Sequence, residues 1–328
     1  MKGTVKKINN SIVRLTMLFS VFLAILTVLT LFDSLHRLVE LFTHFKLQYL
    51  IASFLFTSIF IVAKKYLLSL GMCVVLLING FQIFPWYLGK PINNKNGYAG
   101  KLKVIHANVL TSNKNYHSLN QLVIEEKPDI LITQEVNRRW LQALSGTEQL
   151  LPYKITQARE DNFGIAVYSK IPFKSAEVIY LASSTIPSIK IEFILSEQNI
   201  SLITTHPLPP INKNYFDSRN RQIAAAALMA TNEKTPVVLI GDFNITMWSS
   251  DYSSLEGTSK LKNTRRGFGV LPTWPSKLFP FMIPIDHCFV SSEFDVINMK
   301  VGKNIGSDHL PIIVTLGLNS TDTVEKFK

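Results

Sequence analysis

The sequence predicts an α/β domain of about 220 residues carried behind a membrane anchor of three apolar helices. Three observations support this. Three long uncharged apolar stretches fall within the first 89 residues, and residues 101–318 alternate short β-branched runs with helical patterns. The polar residues of that second region also gather at the ends of its apolar runs. Composition agrees: 47% of residues are hydrophobic, mean hydropathy is +0.20, and only 17% are charged, against about 25% in an ordinary soluble chain. Such a chain is neither a disordered acidic protein nor a low-complexity one. With two cysteines, it is not a disulfide scaffold either.

The anchor comes first. Residues 15–32 (LTMLFSVFLAILTVLTLF) and 47–63 (LQYLIASFLFTSIFIVA) contain no charge, and 66–86 (YLLSLGMCVVLLINGFQIFPW) is interrupted only by Asn79 and Gln82. Roughly 20 helical residues cross about 30 Å of hydrocarbon, so the second stretch spans only just. A buried core helix or a cleaved signal peptide accounts for one such stretch but not for three. Trp86 and Tyr87 stand where an interfacial aromatic belt is expected. Lys2, Lys6, Lys7 and Arg14 precede the first span, and Lys64 and Lys65 separate the second from the third. The positive-inside rule therefore puts both groups in the cytoplasm. The near-neutral loop 33–46 then lies outside, and so does everything after residue 90. Lys90, Lys95, Lys101 and Lys103 pull the other way. The expected location is a multi-pass protein, in a bacterial inner membrane, with its distal domain extracytoplasmic. Cys73 falls in a span and Cys288 in the distal domain, so no disulfide is expected between them.

Residues 90–100 (KPINNKNGYAG) have the composition of a linker, and 319–328 form a polar tail. Between them, strands are expected at 102–109, 129–134, 164–168, 189–195, 200–205, 236–240, 285–290 and 311–316. Helices are expected at 116–126, with Leu119, Leu122 and Val123 on one face, and at 214–231, which carries the alanine-rich RQIAAAALMA run.

The strand ends make the domain readable. HANV presents Asn108, DILITQE ends in Glu135, and ISLITTH ends in His206. VVLIGDFN ends in Asp242 and Asn244, two apart and so on one side of an extended chain. IPIDHCFVS carries Asp286 and His287, and NIGSDHLPIIV carries Asp308 and His309. Alone, each has an ordinary explanation: a solvated glutamate, a turn histidine, Ser-Asp turn chemistry. Together, carboxylates with an amide suit a hard divalent cation, and histidines suit proton transfer.

In this order the residues resemble the endonuclease/exonuclease/phosphatase superfamily, the deoxyribonuclease-I-like fold. The matching pieces are HANV, QE, NFGIAVYSKIPF, TTHPLPP, GDFN, IDH and GSDHLPI, spread over residues 101–318. The resemblance implies a four-layer α/β sandwich, two packed mixed sheets flanked by helices. It also implies hydrolysis of phosphoesters dependent on Mg²⁺ or Mn²⁺. Glu135, with Asn108 beside it, would hold the metal, and Asp308 would adjoin that site directly or through water. His309 would be the general base, oriented by Asp286, while Asp242 and Asn244 position the water and a phosphate oxygen. His206 would contact the transferring phosphoryl group or protonate the leaving oxygen. Abasic-site endonucleases show a Tyr pattern at the His206 position, whereas sphingomyelinases, inositol-polyphosphate phosphatases and deoxyribonuclease I present His. His287 receives no role.

The substrate is not set by this pattern. The partners expected are a bilayer and a phosphodiester, either a lipid headgroup or a nucleic acid, and no obligate protein partner is evident. Tethering favours a lipid headgroup, with the stretch 278–285 (LFPFMIPI) as a membrane-facing segment or, equally, a core strand after a Pro-rich turn. A membrane-tethered nuclease, a small-molecule phosphatase and a non-catalytic receptor are the alternatives. Segments 207–214 and 260–284 are the candidate recognition loops, the latter carrying Lys260, Lys262, Arg265, Arg266 and Lys277. The net charge of +11 initially suggests nucleic acid, but it is unevenly placed. Residues 1–89 contribute +6 and residues 90–103 a further +4, leaving 22 Lys/Arg against 21 acids in residues 104–328. The basic balance is mainly a membrane footprint.

Overall fold

The computed structural model describes residues 9–89 and 97–320, apart from the side chain of residue 183. Lys2, Lys6, Lys7, Lys90 and Lys95, most of the linker 90–100 and most of the tail 319–328 lie outside the described residues. The chain divides into two compact units, Met1–Pro85 with Trp248–Ser250, and Trp86–Met247 with Asp251–Lys328.

The first unit is helical. Helix α1 (Asn10–Leu29) starts where the Asn9 side chain accepts from the Ser11 amide at 3.0 Å, and continues as a tighter turn, Thr30–Leu35. The expected outer loop 33–46 is largely helical, because α2 (Arg37–Thr43) fills it and meets α3 (Lys46–Val62) at 63°. Helix α4 is Tyr66–Ile83. Two stretches, Asn10–Leu35 and Tyr66–Trp86, are long and apolar enough to cross a membrane, or three if bent α2 and α3 form one span. Helix α3 alone is short because its 17 residues rise only about 26 Å.

The polarity of this unit is inverted relative to a water-soluble bundle. Leu18, Phe22, Phe54, Leu67 and Phe81 face outward, whereas Thr27, Ser53 and Asn79 are fully buried. Asn79 Nδ2 donates to Thr27 Oγ1 at 3.0 Å, the kind of small polar contact that joins helices in hydrocarbon. Trp86 departs from the belt expectation. It is buried in the second unit, its carbonyl accepting from the Gly267 and Gly269 amides and its ring covered by Arg266 at 4.7 Å. Both cysteines are free.

The second unit is an α/β sandwich. Its strands are β1 (Gly100–Asn108), β2 (Ile130–Gln134), β3 (Tyr153–Gln157), β4 (Ile165–Ser169), β5 (Phe173–Tyr180), β6 (Pro187–Leu195), β7 (Gln198–Thr205), β8 (Val237–Asp242), β9 (Lys262–Asn263), β10 (Asp286–Val290), β11 (Phe294–Val301) and β12 (Ile312–Leu318). They form two six-stranded mixed sheets, ordered β11-β12-β1-β2-β4-β3 and β5-β6-β7-β8-β10-β9. Each sheet has one parallel pair, β1 with β2 and β7 with β8. Each pair is connected through a helix, α5 (Tyr116–Glu126) and α7 (Lys213–Asn232), as a parallel crossover requires.

Period-two alternation explains the layers. On β1, Leu102 and Val104 join the core between the sheets, while Ile105, Ala107 and Val109 join the outer core under α5 and α6 (Arg138–Ala143). His106 and Asn108 therefore share the inter-sheet face with Val104. On β2 the same rule puts Gln134 between the sheets, two past Ile132. Helix α8 (Ser250–Ser259) is short and serine-rich, and it buries Tyr252 and Leu255.

Candidate active site

Five strand ends converge. Asn108 and Gln134 are paired neighbours at the ends of parallel β1 and β2, and Asp242 pairs with Asp286 across β8 and β10. Gln134 joins the sheets: its Oε1 accepts from the Asp242 amide at 3.0 Å and its Nε2 donates to Thr205 O at 2.9 Å. This buried amide, not singled out by the strand-end reading, sets the height of Asp242 relative to β2. Gly241 is needed here for space, because a Cβ would lie 2.1 Å from the Thr205 carbonyl oxygen. Gly241→Ala is expected to destabilise the second unit by roughly 1–3 kcal/mol through forced separation of β7 and β8. Chemical denaturation followed by intrinsic fluorescence would show it as a lower midpoint.

Asp242 Oδ2 is the hub. It lies 3.3 Å from Asn108 Nδ2, 3.5 Å from His206 Nε2 and 3.6 Å from His309 Nε2. Its Oδ1 accepts from the Asn244 amide at 2.9 Å, an Asx turn. Asn244 has φ +53 and donates its side-chain amide to Pro207 O at 3.0 Å, so it faces the segment that follows His206. His309 Nδ1 lies 3.0 Å from Asp286 Oδ2, and both groups are buried. Because the carboxylate accepts, Nδ1 carries the proton and Nε2 is turned toward Asp242.

Glu135 is held in an unusual backbone state, φ +63, and the residue is 8% exposed. Its Oε1 accepts from Asn108 Nδ2 at 2.9 Å, and its Oε2 and carbonyl face the Thr111 amide and hydroxyl at 3.4 and 3.0 Å. Asp308 has a different partner: its carboxylate takes the Trp274 indole N–H at 3.0 Å. The Ser307 hydroxyl ties the same turn to Asn108 O at 2.8 Å. No hydrogen bond or ion pair joins Asp308 to Glu135 or Asn108 among the described residues. Among the described residues, Asp242, Asp286 and His309 do form a group of three whose ligand atoms all lie within 4.8 Å of one another.

Two further histidines differ in kind. His287 is structural, with Nε2 donating to Ile245 O at 2.9 Å and Nδ1 accepting from Asn263 at 3.1 Å. His106, which the strand-end reading passed over, is fully buried with Nδ1 3.5 Å from Asp286 Oδ1. Its position two before Asn108 was the available signal.

The electrostatics follow from burial and from the neighbouring charges. Burial pushes the Glu135 carboxyl above its ordinary pKa, only partly offset by His206 and Asn108. Burial also lowers His106, with Asp286 opposing. For His206 and His309 burial again acts downward, but neighbouring carboxylates outweigh it. His206 is raised chiefly by Asp242, and His309 is raised to about 10 by Asp286 and Asp242. Asp286 is correspondingly lowered, His309 outweighing its burial.

A folded-state pKa above the unfolded one stabilises below the unfolded value and loses that contribution as pH rises through the folded value. In the metal-free chain, stability from His309 should therefore be complete below about 6.5 and fall away toward pH 10. Thermal melts across that range should slope downward more steeply in the parent than in His309→Asn. Equal slopes would contradict the pairing.

The carboxylates, amide and imidazoles fit a divalent cation. Glu135 is a buried carboxylate with no Lys or Arg against it among the described residues. Asn108 places an amide dipole between Glu135 and Asp242, where a cation would supply charge. The oxygen-rich donors suit Mg²⁺ or Mn²⁺ rather than a thiolate-seeking metal.

The expected basic recognition loop is corrected in part. Arg265 is fully buried, and its guanidinium donates to the carbonyls of Val270, Leu271 and Asp286. Arg266 pairs with Glu256 at 2.8 Å. Arg265 therefore offers no charge to a polyanion, whereas Arg266 stays at the surface beside Glu256.

Fold and site together define a two-sheet sandwich with a carboxylate–histidine centre of the phosphoester-hydrolase type. Residues 105–309 match the Endonuclease/Exonuclease/phosphatase family, and the chain belongs to it. Members of that family are generally hydrolases of phosphoesters that depend on a divalent metal. No curated protein matches the chain. Among solved structures, D. rerio TDP2 humanized by 14 mutations has a TM-score of 0.58 and 17% identity over 66% of this chain and 99% of that one. D. rerio TDP2 complexed with a single strand DNA product gives 0.56 and 18% over the same shares. The human Nocturnin catalytic domain with bound sulfate gives 0.54 and 16%, over 67% and 95%. At these identities the likeness is one of fold.

Proposed function

We propose that the protein is a membrane-anchored, divalent-metal-dependent phosphodiesterase that cleaves lipid-headgroup phosphodiesters outside the cytoplasm. The observation that carries the hydrolase reading is the line Asp286–His309–Asp242, closed at 3.0 and 3.6 Å, beside Glu135 and Asn108. Asp286 holds the imidazole so that Nε2 exchanges the proton of the attacking water. Asp242 and Asn244 orient that water and one phosphoryl oxygen. His206, whose pKa Asp242 raises against the effect of burial, would give a proton to the leaving oxygen as the P–O bond breaks. Glu135 and Asn108, with Asp308 at the margin, would hold the cation. When bound, it would offset charge developing on the phosphoryl oxygens.

The lipid reading is supported by the apolar helices upstream and by the near-neutral charge of residues 104–328. One observation favours a nuclease instead: D. rerio TDP2 has been captured with a single strand DNA product. The full chain in detergent should be offered sphingomyelin, glycerophospholipids, inositol phosphates, supercoiled DNA and RNA, with Mg²⁺ or Mn²⁺ and with chelator. Metal-dependent release of a lipid headgroup is expected. Turnover of DNA or RNA alone would replace the lipid reading, and no turnover of any diester would end the hydrolase reading. Protease added to intact cells should digest the second unit, whereas protection would reverse the topology.

A further inference from the structure

The hairpin between Trp274 and Ile283 has a stem fastened at the active site and an apolar tip in solvent. Trp274 and Ile283 form an antiparallel bridge, with the Thr273 and Trp274 amides both donating to Ile283 O at 3.0 Å. Trp274 Nε1 holds the Asp308 carboxylate at 3.0 Å, and the Ser276 amide donates to Asp308 O at 2.7 Å. The tip is a tight turn: the Leu278 amide donates to Pro275 O at 3.0 Å and the Phe281 amide to Leu278 O at 2.8 Å. Its side chains nevertheless point outward. Leu278, Phe279 and Phe281 are 57%, 83% and 59% exposed, while Met282, Ile283 and Ile285 are buried. Nowhere else among the described residues of the second unit do three large apolar side chains stand this exposed within four positions. Ile211, in the segment that follows His206, is a further one at 71%.

A turn so well hydrogen-bonded would hide its apolar side chains if water were its only neighbour. Phenylalanine and leucine beside one lysine, Lys277, suit the interface of a bilayer. A nucleic-acid track would need a row of free cations around the aromatics. Here Arg265 is buried against carbonyls, and Lys277 is the one cation next to the exposed aromatics in the turn. The chain also brings its own bilayer, through the apolar helices upstream.

We propose that residues 278–281 enter the interface of a lipid bilayer and so bring the Asp308 turn up to the headgroup layer. The docking surface stands on its own observations; only its use in presenting substrate rests on the lipid-phosphodiesterase reading.

The test uses the full chain reconstituted in vesicles of phosphatidylethanolamine and phosphatidylglycerol, with the photo-cross-linker benzoylphenylalanine replacing Phe279. The control places it at Tyr180, 53% exposed elsewhere in the same unit. Lipid adducts at position 279 well above those at 180 are the expected result. No excess at 279, or adducts there to an added oligonucleotide, to another protein or to the chain itself in place of lipid, would overturn the proposal. In parallel, F279S/F281S should lose about tenfold in turnover of vesicle-borne diester. It should retain its rate on the soluble bis(p-nitrophenyl) phosphate. Equal loss on both substrates would count against the interface role. If lipid adducts form but the parent cleaves no lipid diester, the docking surface stands and the substrate reading fails.

Discussion

Alanine in place of His309 is expected to lower phosphodiester turnover by at least ~10²-fold, the scale of a lost general acid–base group. The argument is geometric. Asp286 Oδ2 fixes Nδ1 at 3.0 Å, and that leaves Nε2 as the ring atom able to exchange a proton at the Asp242 side. Asp286→Asn should lower turnover on the same scale, because an amide can present its N–H to Nδ1 and invert the tautomer. The double variant should cost little more than either single one, since the pair acts as a unit. Steady-state kinetics on a soluble diester, with circular dichroism to confirm folding, would check all three. Unchanged turnover in His309→Ala, or full additivity in the double variant, would remove the dyad from the mechanism.

Glu135→Gln is the second large effect: at least ~10²-fold in turnover, together with weakened Mn²⁺ binding measured by calorimetry. The isosteric amide keeps an acceptor for Asn108 Nδ2 and removes only the charge. Stability should move the other way. Glu135 is a non-glycine residue at φ +63, a strained state held at a strand end, and its carboxyl is buried. Glu135→Gly should therefore be as stable as the parent, or more stable by about 1 kcal/mol, while being inactive. A Gln variant with parental turnover and Mn²⁺ affinity would show that the metal is held elsewhere. The Asp242, Asp286 and His309 group would then be the first alternative.

The strands expected from the sequence and those found differ in a regular way. The eight expected runs correspond to β1, β2, β4, β6, β7, β8, β10 and β12, which are the interior strands of the two sheets. The four that were not expected, β3, β5, β9 and β11, are the four sheet edges. An interior strand is covered on both faces and reads as a continuous apolar run, as ILITQ of β2 does. An edge such as FKSAEVIY of β5 is largely exposed, so its sequence carries little pattern. Helix α8 was illegible for a related reason: its serines and Gly257 give weak propensity, and packing of Tyr252 and Leu255 supports it.

The candidate site divides similarly. Asn108, Glu135, His206, Asp242, Asn244, Asp286, Asp308 and His309 were visible because polar residues ending apolar runs stand out. Gln134, Trp274, Thr111 and His106 received no role, since nothing local marks a glutamine that crosses between sheets or an indole that reaches a carboxylate 34 residues away. Likewise 278–285 reads as one apolar string, yet its first half is solvent-facing and its second half is core.

Periodicity, charge and chain order are local properties. By itself, then, the sequence determined the apolar helices, the interior strands, the polar residues at their ends and the near-neutral balance of residues 104–328. Which ends face one another depends on pairing between distant segments. Only the tertiary structure decided that Asp242 lies across from Asp286, that Gln134 bolts the two sheets beneath them, and that Arg265 is spent on carbonyls. The physical reason is that strand register and inter-sheet packing are set by burying both faces at once, which no single segment can specify.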